Sequence, residues 1–272
     1  MAAGNSVRKS VAMALSGGGV RAVAHLGVVE VLRREGYTVE VVSGSSGGAL
    51  AGVLLCDGYA PREVLEIYRE IRRIDLVRHF RKGGMFSLNA VETLLEKYLS
   101  TVYLEDLPTD CIIAATDLAE GRMHYFDKGP VARLAVASSS LIPFFAPVAY
   151  GALLLGDGGF MDNMPTKPLG SRDLPVIGVN VNPILPQTPR NVMQTTYRSL
   201  VLMMAANVEA SKAYADFYLE VEGCAEINIF DMSQLDAAFD AGVREAEKAL
   251  ENGLLDFVQE GVQSPGGKQP LQ

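Results

Sequence analysis

Residues Val39 to Leu55 read VEVVSGSSGGALAGVLL, and this stretch indicates most about how the chain folds. An apolar run leads into a glycine- and serine-rich turn, and small and aliphatic residues follow. Gly44, Ser46 and Gly48 form the pattern G-x-S-x-G. Between a strand and a helix, that pattern predicts a nucleophile elbow, with the serine at the tip of a sharp turn. The alternative is that Ser46 only caps the following helix.

A second glycine turn lies upstream, in VAMALSGGGVRAVAHLG from Val11 to Gly27. It again joins an apolar, strand-like run to a helical one. Backbone N–H groups at the start of a helix can hold a negatively charged oxygen. The two turns together therefore offer a serine nucleophile and a place for the oxyanion that its attack would create.

Short apolar runs recur along the chain, with helical segments between several of them. Such runs are typical of buried parallel strands, so the sequence predicts an α/β fold. The predicted strands are Val11–Leu15, Val39–Ser43, Cys111–Thr116, Leu153–Leu155 and Val176–Val181, with antiparallel pairing around Arg122–Phe126 and the turn at Tyr150-Gly151. Helical spacing predicts helices after Pro61, from about Asn89 to Leu99, from Val192 to about Tyr214 and from Gln234 to Leu250.

Composition limits the class of protein. The 272 residues suit one large domain, predicted over 1–262, with a polar, glycine- and proline-rich tail at 263–272 that we expect to be disordered. A formal charge of −8 argues against nucleic acid as a partner. Cys56, Cys111 and Cys224 lie far apart, which predicts reduced, buried thiols in a cytoplasmic protein. No stretch reaches the length of a membrane span.

The chain has few candidates for the base that a serine nucleophile needs. Its three histidines, His25, His79 and His124, all precede the position where a hydrolase triad would place one, and each is predicted to be structural or on the surface. Asp157 is the better candidate, since GALLLGDGGF places it on a tight turn at the end of a strand. Burial there would raise its pKa toward that of a general base. The alternatives are a plain Asp-Gly-Gly turn, or Asp162 as the acid.

Four ordered blocks resemble the patatin-like phospholipase family. They are Gly17-Gly18-Gly19-Val20-Arg21, Gly44-Ser45-Ser46-Gly47-Gly48, the run AVASSSLIPFFAPV from Ala135 to Val148, and Asp157-Gly158-Gly159, with Asn163 and Pro165 after them. The resemblance extends over nearly the whole chain. Ser45 and Ala22 replace the threonine and glycine that are frequent in the family, and both changes exchange one small residue for another.

The resemblance implies a three-layer α/β/α sandwich with a mostly parallel central sheet. It also implies a serine acyl-ester hydrolase with a catalytic dyad, in which Ser46 attacks an ester carbonyl and Asp157 takes its proton. Gly17, Gly18 and Gly19 would form the oxyanion hole, and Arg21 would fix that loop or add charge. The substrates would be phospholipids, lysophospholipids or other acyl esters. We expect no cofactor and no metal, and therefore no dependence on divalent ions.

Two other functions remain open at this point. One is a regulatory or lipid-binding protein with little turnover. The other is a dinucleotide-binding enzyme, because Gly17-x-Gly19-x-x-Ala22 fits the Rossmann fingerprint and Glu40 lies near the expected acidic position.

Two further segments allow both a structural and a functional interpretation. The stretch from Arg69 to Gly84 interleaves apolar residues with basic ones, namely Arg69, Arg72, Arg73, Arg78, Arg81 and Lys82. It predicts either a solvated helix face or a peripheral contact with an anionic membrane. Leu202, Met203 and Met204 are predicted to lie in the core, with an acyl-chain pocket as the alternative.

Overall fold

The computed structural model describes residues 9–73 and 88–253, without the side chains of Arg72, Arg73 and Met193. Within these residues, eight strands form one sheet. The strands are β1 (Lys9–Leu15), β2 (Tyr37–Ser45), β3 (Asp110–Asp117), β4 (Arg122–Phe126), β5 (Val148–Tyr150), β6 (Leu153–Asp157), β7 (Val176–Asn180) and β8 (Phe217–Glu220). All five predicted strands and the predicted antiparallel pairing are confirmed, with ends that differ by up to two residues.

The sheet has the order β5-β6-β3-β2-β1-β7-β8, and β4 also pairs with β3. From β3 to β8, neighbouring strands are parallel, while β4 and β6 run antiparallel to β3. The mostly parallel sheet that the sequence predicts is therefore present. Its antiparallel edge is formed by hairpins that need no crossover helix.

Helices cover both faces of the sheet, as alternating burial along β1 demonstrates. Val11, Met13 and Leu15 point into the larger hydrophobic cluster, and Ala12 and Ala14 point into a smaller one that includes Val208. The helices are α1 (Ala24–Arg34), α2 (Gly47–Cys56), α3 (Pro61–Arg73), α4 (Asn89–Tyr98), α5 (Val131–Ser138), α6 (Val192–Lys212) and α7 (Leu235–Glu251). The larger cluster contains residues of every helix except α6, whose Val208 packs on the opposite face. This is the three-layer arrangement.

The strands β2 and β6 meet end to end along one edge of β3. Ala114 of β3 is paired with Ser45, the last residue of β2, and Ala115 is paired with Asp157, the last residue of β6. The other edge of β3 is occupied by β4 over the same residues. Because β2 runs parallel and β6 antiparallel to β3, their carboxyl ends point at each other. The segments that follow them are brought together at this point.

Some predicted features fall on residues that the structure does not describe, and two elements of the fold were not predicted. Arg78, Arg81, Lys82 and the predicted tail at 263–272 are not described, and β8 and α5 were not predicted. The three cysteines are free and buried, as expected. In the described part of the chain, no helix combines the length and apolar character needed to cross a membrane.

A close contact between α1 and α7 requires glycine. A Cβ atom at Gly242 would lie 1.9 Å from the carbonyl oxygen of Ala24, and one at Gly27 would lie 2.2 Å from that of Phe239. We expect Gly242→Ala to lower the free energy of unfolding by about 3 kcal/mol. The atoms that its Cβ would meet belong to the backbone of Ala24, so they cannot rotate away as a side chain could. Denaturant unfolding measures this change.

Gly170→Ala provides the matched control. Its Cβ would meet only the carbonyl oxygen of Lys167, at 3.4 Å, and its φ of −65° suits alanine. We expect stability equal to or slightly above that of the parent protein. Equal losses in the two variants would contradict the close-packing explanation.

Candidate active site

The turn between β2 and α2 has the geometry of a nucleophile elbow. Ser46 has φ 51° and ψ −126°, and it is the only non-glycine residue with positive φ among those described. A Cβ at Gly44 would lie 2.6 Å from the carbonyl oxygen of Gly48, and one at Gly48 would lie 2.3 Å from that of Leu15. The two glycines therefore let α2 fold back tightly against the sheet, which explains the spacing of the pattern.

The side chain of Ser46 does not cap α2. It makes no capping hydrogen bond, although Ser46 occupies the N-cap position. Its Oγ donates instead to Oδ2 of Asp157 at 2.7 Å. The structure thus brings together the two predicted residues, which are 111 positions apart in sequence.

Asp157 is buried and held from several sides. Its Oδ1 accepts a hydrogen bond from the N–H of Gly159 at 2.8 Å, and its own N–H donates to the carbonyl oxygen of Ser140. Burial raises the pKa of Asp157 to about 6, although the hydrogen bonds from Ser46 and Gly159 act in the opposite direction. A carboxylate with this pKa is ionised at neutral pH and basic enough to accept a proton.

The glycine loop after β1 lies against Ser46 and Asp157. The N–H of Gly17 donates to the carbonyl oxygen of Asn163 at 3.0 Å, and the carbonyl oxygen of Gly17 accepts from the side chain of Asn182. The N–H groups of Gly18 and Gly19 have no acceptor among the described residues. Of the three predicted glycines, these two keep N–H groups available for a substrate oxygen.

Arg21 attaches this loop to the segment that follows β8, at residues 225–227. Its Nε donates to the carbonyl oxygen of Ile227 at 2.7 Å, and its Nη2 donates to that of Ala225 at 3.3 Å. The N–H of Val20 adds a bond to Ile229 at 2.9 Å. Burial lowers the pKa of Arg21 from its ordinary value, and no described carboxylate pairs with it.

Two positioning residues were missed from the sequence. Ser138, at the end of α5, accepts from the N–H of Ser46 at 2.8 Å and donates to the carbonyl oxygen of Ala114 at 2.6 Å. Asn207 of α6 accepts from the N–H of Asn163 at 2.8 Å and donates to the carbonyl oxygen of Gly159 at 2.9 Å. Ser138 belongs to a block that already resembled the family. Asn207 had no sequence signal, since a lone asparagine in a helix is unremarkable.

The competing acid and bases have structural partners. Asp162 is buried and accepts hydrogen bonds from Tyr125 at 2.7 Å and Ser211 at 2.8 Å. His25 is also buried, with Nε2 2.8 Å from the carbonyl oxygen of Ser16, and burial lowers its pKa to about 4. His124 stacks on Phe126. His79 lies outside the described residues.

The cleft at Ser46 and Asp157 is small, about 40 Å³, and it adjoins a larger cavity of about 450 Å³. Both are lined by Tyr197, Val201 and Ile229. The larger cavity extends between the first half of α6 and residues 183–189 and 225–229. Arg21 and Arg198 both border it. The narrow cleft at Ser46 therefore lies next to a space that could hold a larger molecule.

The core prediction for the methionine-rich part of α6 is wrong. Met204 lines the cleft, but Leu202 is 47 % exposed and Met203 is 65 % exposed. The long apolar run of α6 supplies both an inner and an outer face, so apolar residues alone could not indicate which side is buried.

The geometry disagrees with a dinucleotide site. Glu40 lies in the first half of β2 beside the register shift with β1, where it accepts from Ser10. The glycine loop follows the opposite end of the parallel strand β1, so Glu40 is too distant to bind the ribose of a nucleotide held there.

In the described ranges, no group of three or more metal-ligating side chains forms a metal site.

Among the basic residues of the predicted stretch, only Arg69 has a described side chain. It pairs with Glu66 and Asp236, so its charge is compensated within the protein. Arg72 and Arg73 lie in the last turn of α3. The membrane contact predicted for this stretch remains a prediction.

Known proteins resemble this chain in sequence and in fold. A protein of the NTE family from Mycobacterium tuberculosis, itself uncharacterised, is 32% identical over 178 residues, which cover 63% of this chain and 49% of that protein. Lysophospholipase NTE1 of Candida albicans is 27% identical over 203 residues, covering 72% of this chain and 15% of that protein. The aligned region thus spans half or less of these relatives.

The crystal structure of VipD from Legionella pneumophila has the same fold, with a TM-score of 0.58 at 13% identity, over 90% of this chain and 67% of that one. The family model described as patatin-like phospholipase matches residues 13–169, a range that includes both Ser46 and Asp157. It covers more than half of the chain. The chain belongs to the patatin-like phospholipase family.

Proposed function

We propose that this protein is a serine hydrolase of lipid acyl esters, of the phospholipase, lysophospholipase or esterase type. The observation that carries the proposal is the 2.7 Å hydrogen bond from Ser46 Oγ to Asp157, a buried carboxylate whose pKa is raised to about 6. Membership of the family and the lysophospholipase name of one relative support lipid esters as the substrate class.

In the proposed reaction, Ser46 Oγ attacks the ester carbonyl carbon while its proton passes to Asp157 Oδ2. The carbonyl oxygen becomes an oxyanion, held by the N–H groups of Gly18 and Gly19. When the tetrahedral intermediate collapses, the alcohol leaves with the proton from Asp157, and the acyl group stays on Ser46. A water molecule then gives its proton to Asp157 and attacks the acyl-enzyme. Collapse releases the carboxylic acid and returns the proton to Ser46.

The cavities support a substrate larger than the reacting ester. About 40 Å³ around Ser46 holds only the atoms near the carbonyl, whereas about 450 Å³ lies beyond Tyr197 and Val201. Leu200 and Met204, which line the cleft, are apolar, and Arg21 and Arg198 add positive charge to the larger cavity. This combination suits an ester with both an apolar chain and a polar part.

The test is covalent labelling with a fluorophosphonate, which reacts with activated serine. We expect the label on the tryptic peptide 35–62, which contains Ser43, Ser45 and Ser46, and fragment ions should assign it to Ser46. Ser43 and Ser45 are buried and serve as internal controls. Hydrolysis of lysophospholipids and of short p-nitrophenyl esters should accompany labelling, with or without EDTA. A correctly folded protein with neither labelling nor hydrolysis would favour the lipid-binding alternative.

The glycine loop gives a further prediction at Arg21. Removing its bonds to Ile227 and Ala225 should loosen the loop and displace the oxyanion donors. Since a displacement of about 1 Å can cost about 10²-fold in rate, we expect Arg21→Met to lower kcat by up to about that factor, with KM for a short ester little changed. Arg21→Lys should recover only part of the loss, because lysine has no forked donor.

Arg122→Met is the control for this prediction. Arg122 is exposed on β4, so its loss should leave kcat unchanged. Steady-state kinetics on a soluble ester measures all three variants. A rate for Arg21→Met equal to that of the parent protein would show that the loop does not depend on this anchor.

A further inference from the structure

Exposed apolar side chains gather on and beside α6. Ten large apolar residues are exposed in the described part of the chain, and six of them lie on or beside α6. We name these six the α6 face: Ile184, Leu185, Val192, Leu202, Met203 and Phe230. Leu202 borders the same surface hollow as residues 186–189. Phe230 rests on Phe144, with 5.0 Å between ring centroids. Exposed apolar side chains concentrated around one helix indicate an interaction site.

The members of the α6 face that belong to the helix lie on the side opposite the one that lines the active-site cleft. Tyr197, Leu200, Val201 and Met204 point inward and line the cleft. Ser199, Leu202, Met203 and Ala206 follow the spacing i, i+3, i+4, i+7 and are exposed. They form one uncharged stripe along the helix, which ends at the exposed Glu209. The reactive serine is therefore one helix thickness beneath an apolar surface.

The charge around the α6 face differs from that of the rest of the chain. From residue 174 to residue 208 there is no aspartate or glutamate, although the chain has 32 acidic residues and a net charge of −8. The charged residues in that range are Arg190 and Arg198. The acidic residues nearest to the α6 face in sequence are Glu209, Glu226 and Asp231, which lie outside that range. The part of the face from Ile184 to Met203 carries no carboxylate, so it can approach anionic head groups that repel the remainder of the protein.

We propose that the α6 face docks on a lipid surface, a bilayer or a micelle, with Leu202 and Met203 inserted among the acyl chains and Arg190 at the level of the head groups. The occupant follows from the exposed apolar residues of α6, the absence of carboxylates from residue 174 to residue 208, and the position of these residues on the side of α6 opposite the cleft. The choice of lipid rests in part on the proposed function, since a lipid hydrolase must receive its substrate from such a surface.

The experiment measures vesicle binding separately from hydrolysis. The full chain carrying Ser46→Ala, which leaves the lipid intact, is sedimented with vesicles of phosphatidylcholine alone or mixed with phosphatidylglycerol. We expect binding to both, tighter to the mixture. Leu202→Gln with Met203→Gln, in the same background, should weaken binding by about 10- to 100-fold, because two partly inserted apolar side chains are lost.

Val102→Gln is the matched control, because Val102 is also an exposed apolar residue, at 68 %, but lies outside the α6 face. We expect it to bind as the Ser46→Ala parent does. The proposal is overturned if the parent binds neither vesicle, or if the Leu202 and Met203 changes leave binding unaltered while the protein stays folded. It is also overturned if light scattering shows that those changes only convert a dimer into a monomer. Hydrolysis of a soluble ester tests the proposed function independently.

Discussion

Ser46→Ala is expected to lower kcat/KM for ester hydrolysis by at least about 10⁴-fold and to abolish fluorophosphonate labelling, since the loss of a serine nucleophile removes the covalent route. Folding should be retained. The Ser46 Oγ makes its described hydrogen bond to Asp157 alone, and the backbone bonds that form the turn, from Ala49 and Leu50 to the carbonyl oxygen of Ser46, do not need the hydroxyl.

Ser45→Ala is a control one residue away. The Ser45 hydroxyl is buried and has no hydrogen-bond partner in the described ranges, so removing it should not lower stability. We expect its kcat/KM to remain within about threefold of the parent value, because the change breaks no hydrogen bond and removes a single atom. Thermal unfolding and hydrolysis of a p-nitrophenyl ester measure both variants. Activity remaining in Ser46→Ala at the Ser45→Ala level would exclude Ser46 as the nucleophile.

The elbow could be predicted because its determinants are local. Gly44 and Gly48 are needed where α2 folds back on β2, and the apolar run before them is itself the strand. Asp157 was predicted from similar local evidence, a strand followed by two glycines. The sequence could not show that β2 and β6 approach each other along one edge of β3, because strand register depends on pairing between distant segments.

Hydrogen-bond partners around the site were beyond sequence reasoning for the same reason. Ser138 and Asn207 form hydrogen bonds with backbone atoms of Ser46, Gly159 and Asn163. Every residue type has these backbone atoms, so the sequence does not indicate which residues are the partners. The two faces of α6 present a different difficulty. Apolar residues occur on both sides, so helical periodicity predicted the helix and could not identify its exposed side.

Asp157→Asn is expected to lower kcat/KM by about 10⁴-fold, the scale seen when a catalytic aspartate is replaced by its amide. Asparagine keeps the shape of the side chain and an oxygen that can accept from Gly159, but it has no basic site for the Ser46 proton. Asp162→Asn is the matched control, since Asp162 is a buried carboxylate nearby that bonds to Tyr125 and Ser211 instead. Hydrolysis of the same soluble ester measures both. Equal losses would argue for a structural role of both residues.

The pH dependence identifies the group that accepts the proton. Because Asp157 must be ionised and burial raises its pKa to about 6, kcat/KM should rise about tenfold per pH unit below pH 6 and become constant above pH 7. In Asp157→Asn, this rise of kcat/KM with pH should be absent.

An unfolded aspartate has a pKa of about 3.9, so the folded state binds the proton more tightly, and ionisation of Asp157 costs about 3 kcal/mol of stability. That cost is absent below about pH 4 and complete above about pH 6. At pH 7, Asp157→Asn should therefore unfold at a higher temperature than the parent protein, and a lower temperature would indicate that its lost activity reflects damage to the fold.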